Sequence, residues 1–501
     1  MAANTSTTVP HLTNWVNNEA KVCVAGSDVS YLAVTTPHTG ATIARVPLSH
    51  AADVDEAVGA AQAAYPGWSG RTFKDRAQFL LRFYRVLTDH LDELAVLIVS
   101  EHGKTRDEAV GEIKKGLETL EYAISLPQTA AGRILEVSRG VTCHDTRVPL
   151  GVVASVVPFN FPFMVPFWTL PIALGCGNTF VLKPSEKVPL TMDLVARLAA
   201  GVFPPGVLNL VHGDKDVVRP LLEHPQVRAV TFVGTTKVAE LVSRECRALN
   251  KRCLALGGAK NHLVAMPDCD VELTAQDVVN SYTGCAGQRC MAASVLLVVG
   301  SQPQLVEAII AKSRALRPGS GPREVGPVID HASRDRILDY IKLSAKDGAE
   351  LLVDGRTHPD FAQIATTCPE GSWVGPTVIL HRQPADAALH DEIFGPVLSI
   401  LQVDTPEQAL AIENANPYGN AACIYTTSGA VAQHFTGRFR AGMIGVNIGV
   451  PVPREPFSFG GIEASKFGDM DITGDGGIEF FTYRRKVTTK WGAPVEKSWL
   501  N

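Results

Sequence analysis

The sequence lacks the cysteine and histidine arrangements that mark metal sites and disulfide frameworks. Its 10 cysteines are scattered, they include no Cys-x-x-Cys pair, and no histidines cluster at metal-ligand spacing. In a chain of 501 residues, this usage is typical of reduced thiols in an intracellular protein. We therefore predict no metal centre.

Signals for membranes, secretion and nucleic acids are also missing. No apolar run reaches the roughly 18 residues of a spanning helix, and no Lys/Arg cluster accompanies the formal net charge of -5. No basic residue precedes Lys21, and no apolar signal core follows it. We expect a soluble intracellular protein, mitochondrial if the source is eukaryotic and otherwise cytoplasmic, with no nucleic-acid or membrane partner.

The composition is that of a globular enzyme, since 46% of residues are apolar and 19% are charged. The length predicts two or three domains. Apolar positions in 51–126 recur every three or four residues, which predicts helices. Residues 133–149 predict a β-hairpin that turns at Arg139–Gly140.

Residues 150–258 alternate between apolar strands and helical stretches. This order predicts right-handed crossovers and a parallel, nucleotide-binding sheet. The strand candidates are Val152–Val157, Thr179–Leu182, Val207–Val211, Ala229–Val233 and Cys253–Leu256.

The segment that continues to about residue 460 alternates again, which predicts a second α/β domain. Its strand candidates are Ser294–Val299, Val397–Val403 and Ala421–Tyr425. The tail, Gly477–Lys490, has β-favouring residues and predicts a strand.

Cys290 stands out because of its neighbours in Gly287-Gln288-Arg289-Cys290-Met291. Most cysteines are small buried apolar residues. Gly, Gln and Arg are poor core material, however, and an adjacent Arg would favour the thiolate. The pattern indicates a nucleophile.

Four further motifs follow strands or open loops. Asn160, in Pro158-Phe159-Asn160-Phe161-Pro162, is either a turn residue or a hydrogen-bond donor to an oxyanion. Lys183-Pro184-Ser185-Glu186 could bind ribose hydroxyls or be an exposed loop. Gly234-Thr235 opens a helix that could hold a pyrophosphate, although no Gly-x-Gly-x-x-Gly is present. The motif Asp391-Glu392-Ile393-Phe394-Gly395-Pro396 is equally compatible with a contact to a cofactor ribose and with a capped turn.

In this order and spacing, the motifs resemble the aldehyde dehydrogenase superfamily, and the match continues to Asn447 and Phe459-Gly460-Gly461. The resemblance implies an aldehyde dehydrogenase fold: two Rossmann-like α/β domains with parallel sheets, plus a small β oligomerisation element. It implies NAD as cofactor, Cys290 as the nucleophile, and an oxyanion hole formed by Asn160 and the Cys290 backbone N–H.

The resemblance also implies a set of NAD contacts and a division into domains. The contacts are Val157, Pro158, Phe159, Lys183, Glu186, Gly213, Gly234, Thr235, Leu256, Gly257, Glu392 and Phe394. The NAD-binding domain would comprise 1–127 and 150–257, and the catalytic domain 258–460. The segments 128–149 and 478–496 would join subunits in a homodimer or homotetramer.

Several positions depart from the hydrolytic members that the sequence resembles. Those members carry a water-activating Glu where this sequence has Ala255. A Lys–carboxylate relay is absent as well, because its two positions hold Thr169 and Met470. Alanine takes no proton, so a strong nucleophile such as the thiolate of coenzyme A would have to accept the acyl group.

Gly258-Ala259-Lys260-Asn261-His262, the Cys290 motif and Phe457-Ser458-Phe459 resemble one branch of the superfamily, the CoA-acylating methylmalonate-semialdehyde dehydrogenases. The resemblance implies that Arg289 and a second cation hold a substrate carboxylate. That second position is Lys115, where the branch has Arg. Glu463 replaces a usual Lys or Arg, and Ala255 a polar residue.

The sequence thus implies NAD-dependent oxidation of methylmalonate or malonate semialdehyde, with decarboxylation and transfer to CoA as cosubstrate. One alternative is a hydrolytic enzyme for a semialdehyde such as succinate semialdehyde. Another, of a different class, is a catalytically silent NAD-binding or assembly protein, which the intact Cys290, Asn160 and Glu392 disfavour.

Overall fold

The computed structural model describes residues 9–24 and 29–492. The helices are α1 (Ala51–Ser69), α2 (Phe73–Asp89), α3 (Leu91–His102), α4 (Arg106–Ile124), α5 (Leu126–Thr129), α6 (Met164–Cys176), α7 (Leu190–Ala200), α8 (Val218–Glu223), α9 (Thr236–Ala248), α10 (Val271–Thr283), α11 (Pro303–Arg314), α12 (His331–Lys346), α13 (Pro359–Thr367), α14 (Ala387–His390), α15 (Pro406–Ala415), α16 (Gly429–Thr436) and α17 (Gly474–Phe480).

The strands are β1 (Asn14–Val16), β2 (Glu19–Lys21), β3 (Tyr31–Thr35), β4 (Thr42–Pro47), β5 (Arg133–Ser138), β6 (Val141–Pro149), β7 (Val152–Val156), β8 (Thr179–Lys183), β9 (Leu208–Leu210), β10 (Val227–Val233), β11 (Arg252–Leu256), β12 (Asn261–Ala265), β13 (Ala293–Val299), β14 (Arg317–Pro318), β15 (Glu324–Val325), β16 (Glu350–Val353), β17 (Thr377–His381), β18 (Val397–Val403), β19 (Tyr418–Gly419), β20 (Ala421–Tyr425), β21 (Met443–Val446), β22 (Ile462–Glu463), β23 (Lys466–Gly468) and β24 (Thr482–Lys490).

The first sheet has the strand order β2-β1-β9-β8-β7-β10-β11-β23. Its inner strands, β7 to β11, are parallel, and β7 and β8 are buried along their whole length. Strands covered on both faces are continuously apolar, which is why the sequence predicts them. The predicted parallel sheet is confirmed. The edges β1, β2 and β23 are antiparallel and were not predicted.

The second sheet has the order β16-β17-β18-β13-β12-β20-β21, and only its edge strand β16 is antiparallel. The predicted strands β13, β18 and β20 are confirmed within one residue at either end. Strand β12 begins inside the motif Gly258–His262. Its backbone therefore runs from the end of the first sheet directly into the centre of the second.

The predicted hairpin is confirmed, and β24 extends it to a three-stranded sheet by pairing with β6 from Thr482↔Pro149 to Lys490↔Val141. The predicted tail strand is wrong over Gly477–Phe480, which is helical in α17. Ile478 and Phe480 are buried in the large core that includes α6. Tertiary packing therefore overrides their β preference. Of the predicted segment 478–496, residues 493–496 lie outside the described residues.

Helix α4 carries several site residues and is fixed at its start. Thr105 and Glu108 form a reciprocal capping box that satisfies two backbone N–H groups. Further along, Gly116 lies so close to Phe163 of the α6 entry that an added Cβ would come within 2.7 Å of the ring. Helices α4 and α6 are thereby held in close contact. None of the described helices is both long and apolar enough to cross a membrane.

Candidate active site

Cys290 lies between a tight turn, Gly284–Gly287, and strand β13. Three successive residues of the turn have positive φ: Cys285 (51°), Ala286 (52°) and Gly287 (73°). A Cβ on Gly287 would lie 2.0 Å from the carbonyl oxygen of Gly395. Residue 287 must therefore be glycine. Its close contact with Gly395 brings the segment 284–290, here called the nucleophile loop, against the loop that carries Glu392.

The backbone carbonyl of Cys290 is fixed by two side-chain amides. Asn261 Nδ2 donates to it over 2.8 Å and Asn420 Nδ2 over 2.9 Å. Sequence reasoning missed both residues. Asn261 stands in the motif Gly258–His262, so a signal existed for it, but nothing local marks Asn420. Because the carbonyl is held from both sides, the Cys290 side chain has a defined position.

Burial dominates the electrostatics of the nucleophile. It raises the pKa of Cys290 to about 12, and the nearby Glu392 carboxylate acts in the same direction. The expectation that Arg289 favours the Cys290 thiolate is wrong in this structure. The Arg289 guanidinium instead donates from Nε to Cys285 Sγ over 3.3 Å, and from Nη2 to Glu108 Oε1 over 3.3 Å.

Asn160 follows β7 and is 5% exposed. Its Nδ2 donates to the carbonyl of Gln288 over 3.0 Å, which places its amide beside the nucleophile loop. An amide has two N–H donors, and the second has no acceptor among the described residues. This geometry fits the oxyanion-hole prediction for Asn160.

A buried ion pair contacts the backbone carbonyl of Asn160. Lys104 Nζ donates to Glu112 Oε2 over 2.5 Å and to the Asn160 carbonyl over 2.9 Å. Both charged side chains are 0% exposed. Glu112 Oε1 also accepts the backbone N–H groups of Phe163 and Met164, at 2.7 and 3.1 Å. Helix α4, the Asn160 loop and the start of α6 are thus joined by one carboxylate, which the sequence reasoning did not identify.

The predicted adenosine contacts lie at the end of β8. Lys183 is 4% exposed, and its Nζ forms an ion pair with Glu186 Oε2 at 3.1 Å. Burial lowers the pKa of Lys183, and Glu186 partly offsets this effect. The Val157 N–H donates to the Lys183 carbonyl, so the segments after β7 and β8 run side by side. Pro158 and Phe159 come next in the segment after β7. Gly213, the predicted contact that follows β9, has a φ of 141°.

The predicted pyrophosphate contacts lie where β10 enters α9. Gly234 N–H bonds the Leu256 carbonyl over 3.1 Å, and Gly257 N–H bonds that of Ser465 over 2.9 Å. Thr235 is the N-cap of α9, and its side chain makes no capping hydrogen bond. The N–H groups of Thr236 and Lys237, for which the described residues provide no acceptor, are therefore available to an anion. With the Lys183 pair at the same carboxyl edge of the parallel sheet, these residues fit a dinucleotide such as NAD.

Glu392 and Phe394 occupy the loop opposite Cys290. Glu392 Oε1 accepts the Ala259 N–H over 2.9 Å, and Lys260 Nζ donates to the Asp391 carbonyl over 2.7 Å. Phe394 has φ of 53° and its ring meets Phe159 edge to face at 6.0 Å. The motifs near residues 159 and 392 are therefore brought together, as the sequence reasoning required.

The two cationic side chains that are predicted to bind the substrate carboxylate lie in different surroundings. Arg289 lines one cavity together with Cys290 and Glu392. Lys115 Nζ is paired with Glu118 at 3.0 Å and with Glu455 at 3.1 Å. Lys115 therefore shares its charge with two carboxylates already.

The three residues that differ from those of the hydrolytic members lie in apolar or neutral surroundings. Ala255 is fully buried in β11, between its strand partners Phe232 and Phe467. Thr169 is buried and donates to the Pro166 carbonyl over 3.2 Å. Met470 packs against the largest apolar core. None of the three can transfer a proton as a carboxylate or lysine would.

These features define a class. The aldehyde dehydrogenase family model matches residues 24–487. The chain belongs to the aldehyde dehydrogenase family, and the predicted fold is confirmed.

Particular relatives are similar over nearly the whole chain. The chain is 42% identical to malonate-semialdehyde dehydrogenase 1 of Oceanobacillus iheyensis, covering 97% of this chain and 99% of that protein. Methylmalonate-semialdehyde dehydrogenase of Oceanimonas doudoroffii has a TM-score of 0.93 at 37% identity, covering 97% and 99% of the two chains. A provisionally named methylmalonate-semialdehyde dehydrogenase of Sinorhizobium meliloti, complexed with NAD, has a TM-score of 0.92 at 35% identity, covering 98% and 99%.

Proposed function

We propose that the protein oxidises methylmalonate or malonate semialdehyde with NAD⁺ and transfers the decarboxylated acyl group to coenzyme A. The observation that carries this proposal is the fully buried Ala255, which stands where hydrolytic members place the base that activates water. Relatives named for malonate and methylmalonate semialdehyde support the choice of substrate.

Cys290 is the nucleophile in this proposal. The Cys290 thiol loses its proton to solvent water and its sulfur bonds to the aldehyde carbon, while the electron pair of the C=O bond moves to the oxygen, which becomes an oxyanion. Asn160 Nδ2 and the Cys290 N–H donate hydrogen bonds to that oxygen. When the C=O bond re-forms, the aldehyde hydrogen leaves as hydride and Cys290 carries a thioester. The chemistry that bound NAD⁺ supplies is acceptance of this hydride.

Two bonds of the thioester intermediate are then broken. Cleavage of the bond to the carboxylate releases CO₂, and the electron pair left on the adjacent carbon takes up a proton. The CoA thiolate attacks the thioester carbonyl, and the Cys290 thiolate leaves. A thiolate needs no base to activate it near neutral pH, so the reaction proceeds without the carboxylate that Ala255 replaces. The products are propionyl-CoA or acetyl-CoA.

The NAD contacts remain those implied by the resemblance. Lys183 and Glu186 hold the adenosine ribose, Gly234 and Thr235 the pyrophosphate, and Glu392 and Phe394 the nicotinamide ribose. Support comes from the free N–H groups at the start of α9 and from the common sheet edge at which these residues lie.

Subunit association through the hairpin β5–β6 and strand β24 is also proposed. This three-stranded sheet exposes large apolar side chains, including Ile134 (67%), Leu135 (63%) and Val487 (47%). Contiguous exposed apolar surface marks contact sites. A homodimer or homotetramer would cover it.

A hydrolytic semialdehyde dehydrogenase is the second candidate. The observation that favours it is Glu392, a carboxylate close enough to Cys290 to raise its pKa. In this reading Glu392 activates water against the thioester. A catalytically silent protein is disfavoured, because Asn160 and Cys290 meet at one loop.

The test is steady-state NADH production from methylmalonate semialdehyde with and without CoA, together with identification of the product. We expect sustained turnover only with CoA, and propionyl-CoA as product. Equal rates with and without CoA, and free propionate, would overturn the acylating assignment and favour hydrolysis. Cys290→Ala is the control for uncatalysed NAD⁺ reduction. Its failure to abolish turnover would contradict the role of Cys290.

A further inference from the structure

The guanidinium of Arg289 has one occupied edge and one free edge. A guanidinium presents five N–H donors in a rigid plane. Along one edge, Nε donates to Cys285 Sγ and Nη2 donates to Glu108 Oε1, each over 3.3 Å. The opposite edge, formed by Nη1 and the second N–H of Nη2, has no acceptor among the described residues. That edge has the spacing that binds a carboxylate in bidentate fashion.

Glu108 organises the occupied edge. Its Oε1 accepts the Cys285 N–H over 2.6 Å as well as the Arg289 bond, and its Oε2 accepts the Thr105 N–H over 3.0 Å. The same carboxylate thus caps helix α4 and secures the turn at Cys285, where φ is 51°. A residue anchored by its own helix is a rigid support for a flexible side chain such as Arg289.

Gly284 provides the surface on which the guanidinium rests. A Cβ at this position would lie 2.2 Å from Arg289 Nη1 and 2.3 Å from Cζ. Gly284 has φ of -58° and ψ of 135°, a conformation open to any residue. Glycine at this position is therefore explained by the close approach of Arg289 and not by the backbone conformation.

We propose that Glu108, with Gly284, is a positioning residue that orients Arg289 so that its free edge receives the carboxylate of the aldehyde bound at Cys290. The proposal deepens the proposed function and rests on it for the acid substrate. Arg289 precedes the nucleophile directly, and both line one cavity. In this proposal Glu108 and Gly284 act only through Arg289. Substitutions at either position should therefore affect aldehydes that carry a carboxylate and not aldehydes that lack one.

The first test compares methylmalonate semialdehyde with propanal, which lacks the carboxylate. Glu108→Gln keeps a capping side chain but loses the charge, and Gly284→Ala displaces the guanidinium. For both variants we expect KM for the semialdehyde to rise about tenfold, and KM for propanal to stay within about twofold. Asp107→Asn removes an exposed charge in the same helical turn and is the matched control, with no change for either substrate.

The second test does not require turnover. Iodoacetate and iodoacetamide alkylate a thiol alike but differ in charge, so their rate ratio at Cys290 reports a cation that binds carboxylates. We expect the ratio, measured by peptide mapping, to fall in Arg289→Gln, Glu108→Gln and Gly284→Ala, and to be unchanged in Asp107→Asn.

The outcomes distinguish the positioning role of Glu108 and Gly284 from the acylating function. A ratio that falls in Arg289→Gln but not in Glu108→Gln and Gly284→Ala overturns the positioning role. So does a ratio unchanged in all variants, or a semialdehyde KM that decreases in Glu108→Gln. CoA-independent turnover would overturn only the acylating function, because the alkylation ratio involves neither CoA nor oxidation.

Discussion

Replacing Lys104 by methionine tests the support beneath the oxyanion donor. The substitution keeps the length and apolar stem of the side chain but removes the ammonium that bonds Glu112 and the Asn160 carbonyl. Glu112 Oε2 then loses its only partner among the described residues. Because both side chains are 0% exposed, the remaining carboxylate is left uncompensated in an apolar interior.

The magnitude follows from that burial. Breaking a buried ion pair by removing one partner costs about 3–5 kcal/mol. In the double variant Lys104→Met/Glu112→Gln no charge remains, and glutamine can still accept from Phe163 and Met164. We therefore expect the double variant to recover at least about half of that loss. Catalysis should fall too: kcat should decrease about tenfold in Lys104→Met, because Asn160 shifts but is still present.

The assay is urea unfolding followed by tryptophan fluorescence, which reports on the buried Trp68 and Trp168. Glu112→Gln alone completes the double-mutant cycle and yields the coupling energy of the pair. A loss below about 1 kcal/mol in Lys104→Met would refute the reasoning. So would a double variant that is less stable than Lys104→Met.

Three further outcomes are expected. Asn160→Ala should lower kcat by about 10²–10³-fold with little change in KM for NAD, and an unchanged kcat would remove Asn160 from the oxyanion hole. Because Glu392 helps to raise the pKa of Cys290, Glu392→Gln should speed alkylation of Cys290 by iodoacetamide at pH 8 in the absence of NAD; a slower reaction would contradict this. Burial lowers the pKa of Lys260 to about 7, so above that pH the unfolded chain binds more protons than the folded one. Stability should therefore rise from pH 7 to pH 9, by about 2 kcal/mol more than in Lys260→Met, and parallel pH profiles would refute it.

Local patterns carried much of the fold prediction. The strands β7, β8 and β10 are short apolar runs between turn signals, and helices α2 and α4 repeat apolar positions on one face, so neighbouring residues contain the information. The antiparallel edge strands β1 and β23 are only three residues long, and the strands through which they join the parallel sheet, β9 and β11, lie far along the chain. The helix α17 was predicted as a strand because burial of Ile478 and Phe480 against α6 is not visible locally.

The sequence by itself determined the chemistry that is available: a cysteine in a Gly-Gln-Arg-Cys motif, an asparagine after the first parallel strand, and alanine where hydrolytic members have a base. These are properties of residue identity and order, which persist in any fold that keeps the motifs together. Only the tertiary structure decided which groups surround them.

The direction of Arg289 shows this difference most clearly. Adjacency along the chain predicted an effect on Cys290, yet successive side chains need not point the same way, and the guanidinium bonds Cys285 and Glu108 instead. Glu108 is 181 residues away in sequence from Arg289. Asn261, the first residue of β12, and Asn420, just before β20, likewise meet Cys290 across long sequence separations. Such contacts depend on how the two sheets and helix α4 pack, and packing is a property of the whole chain.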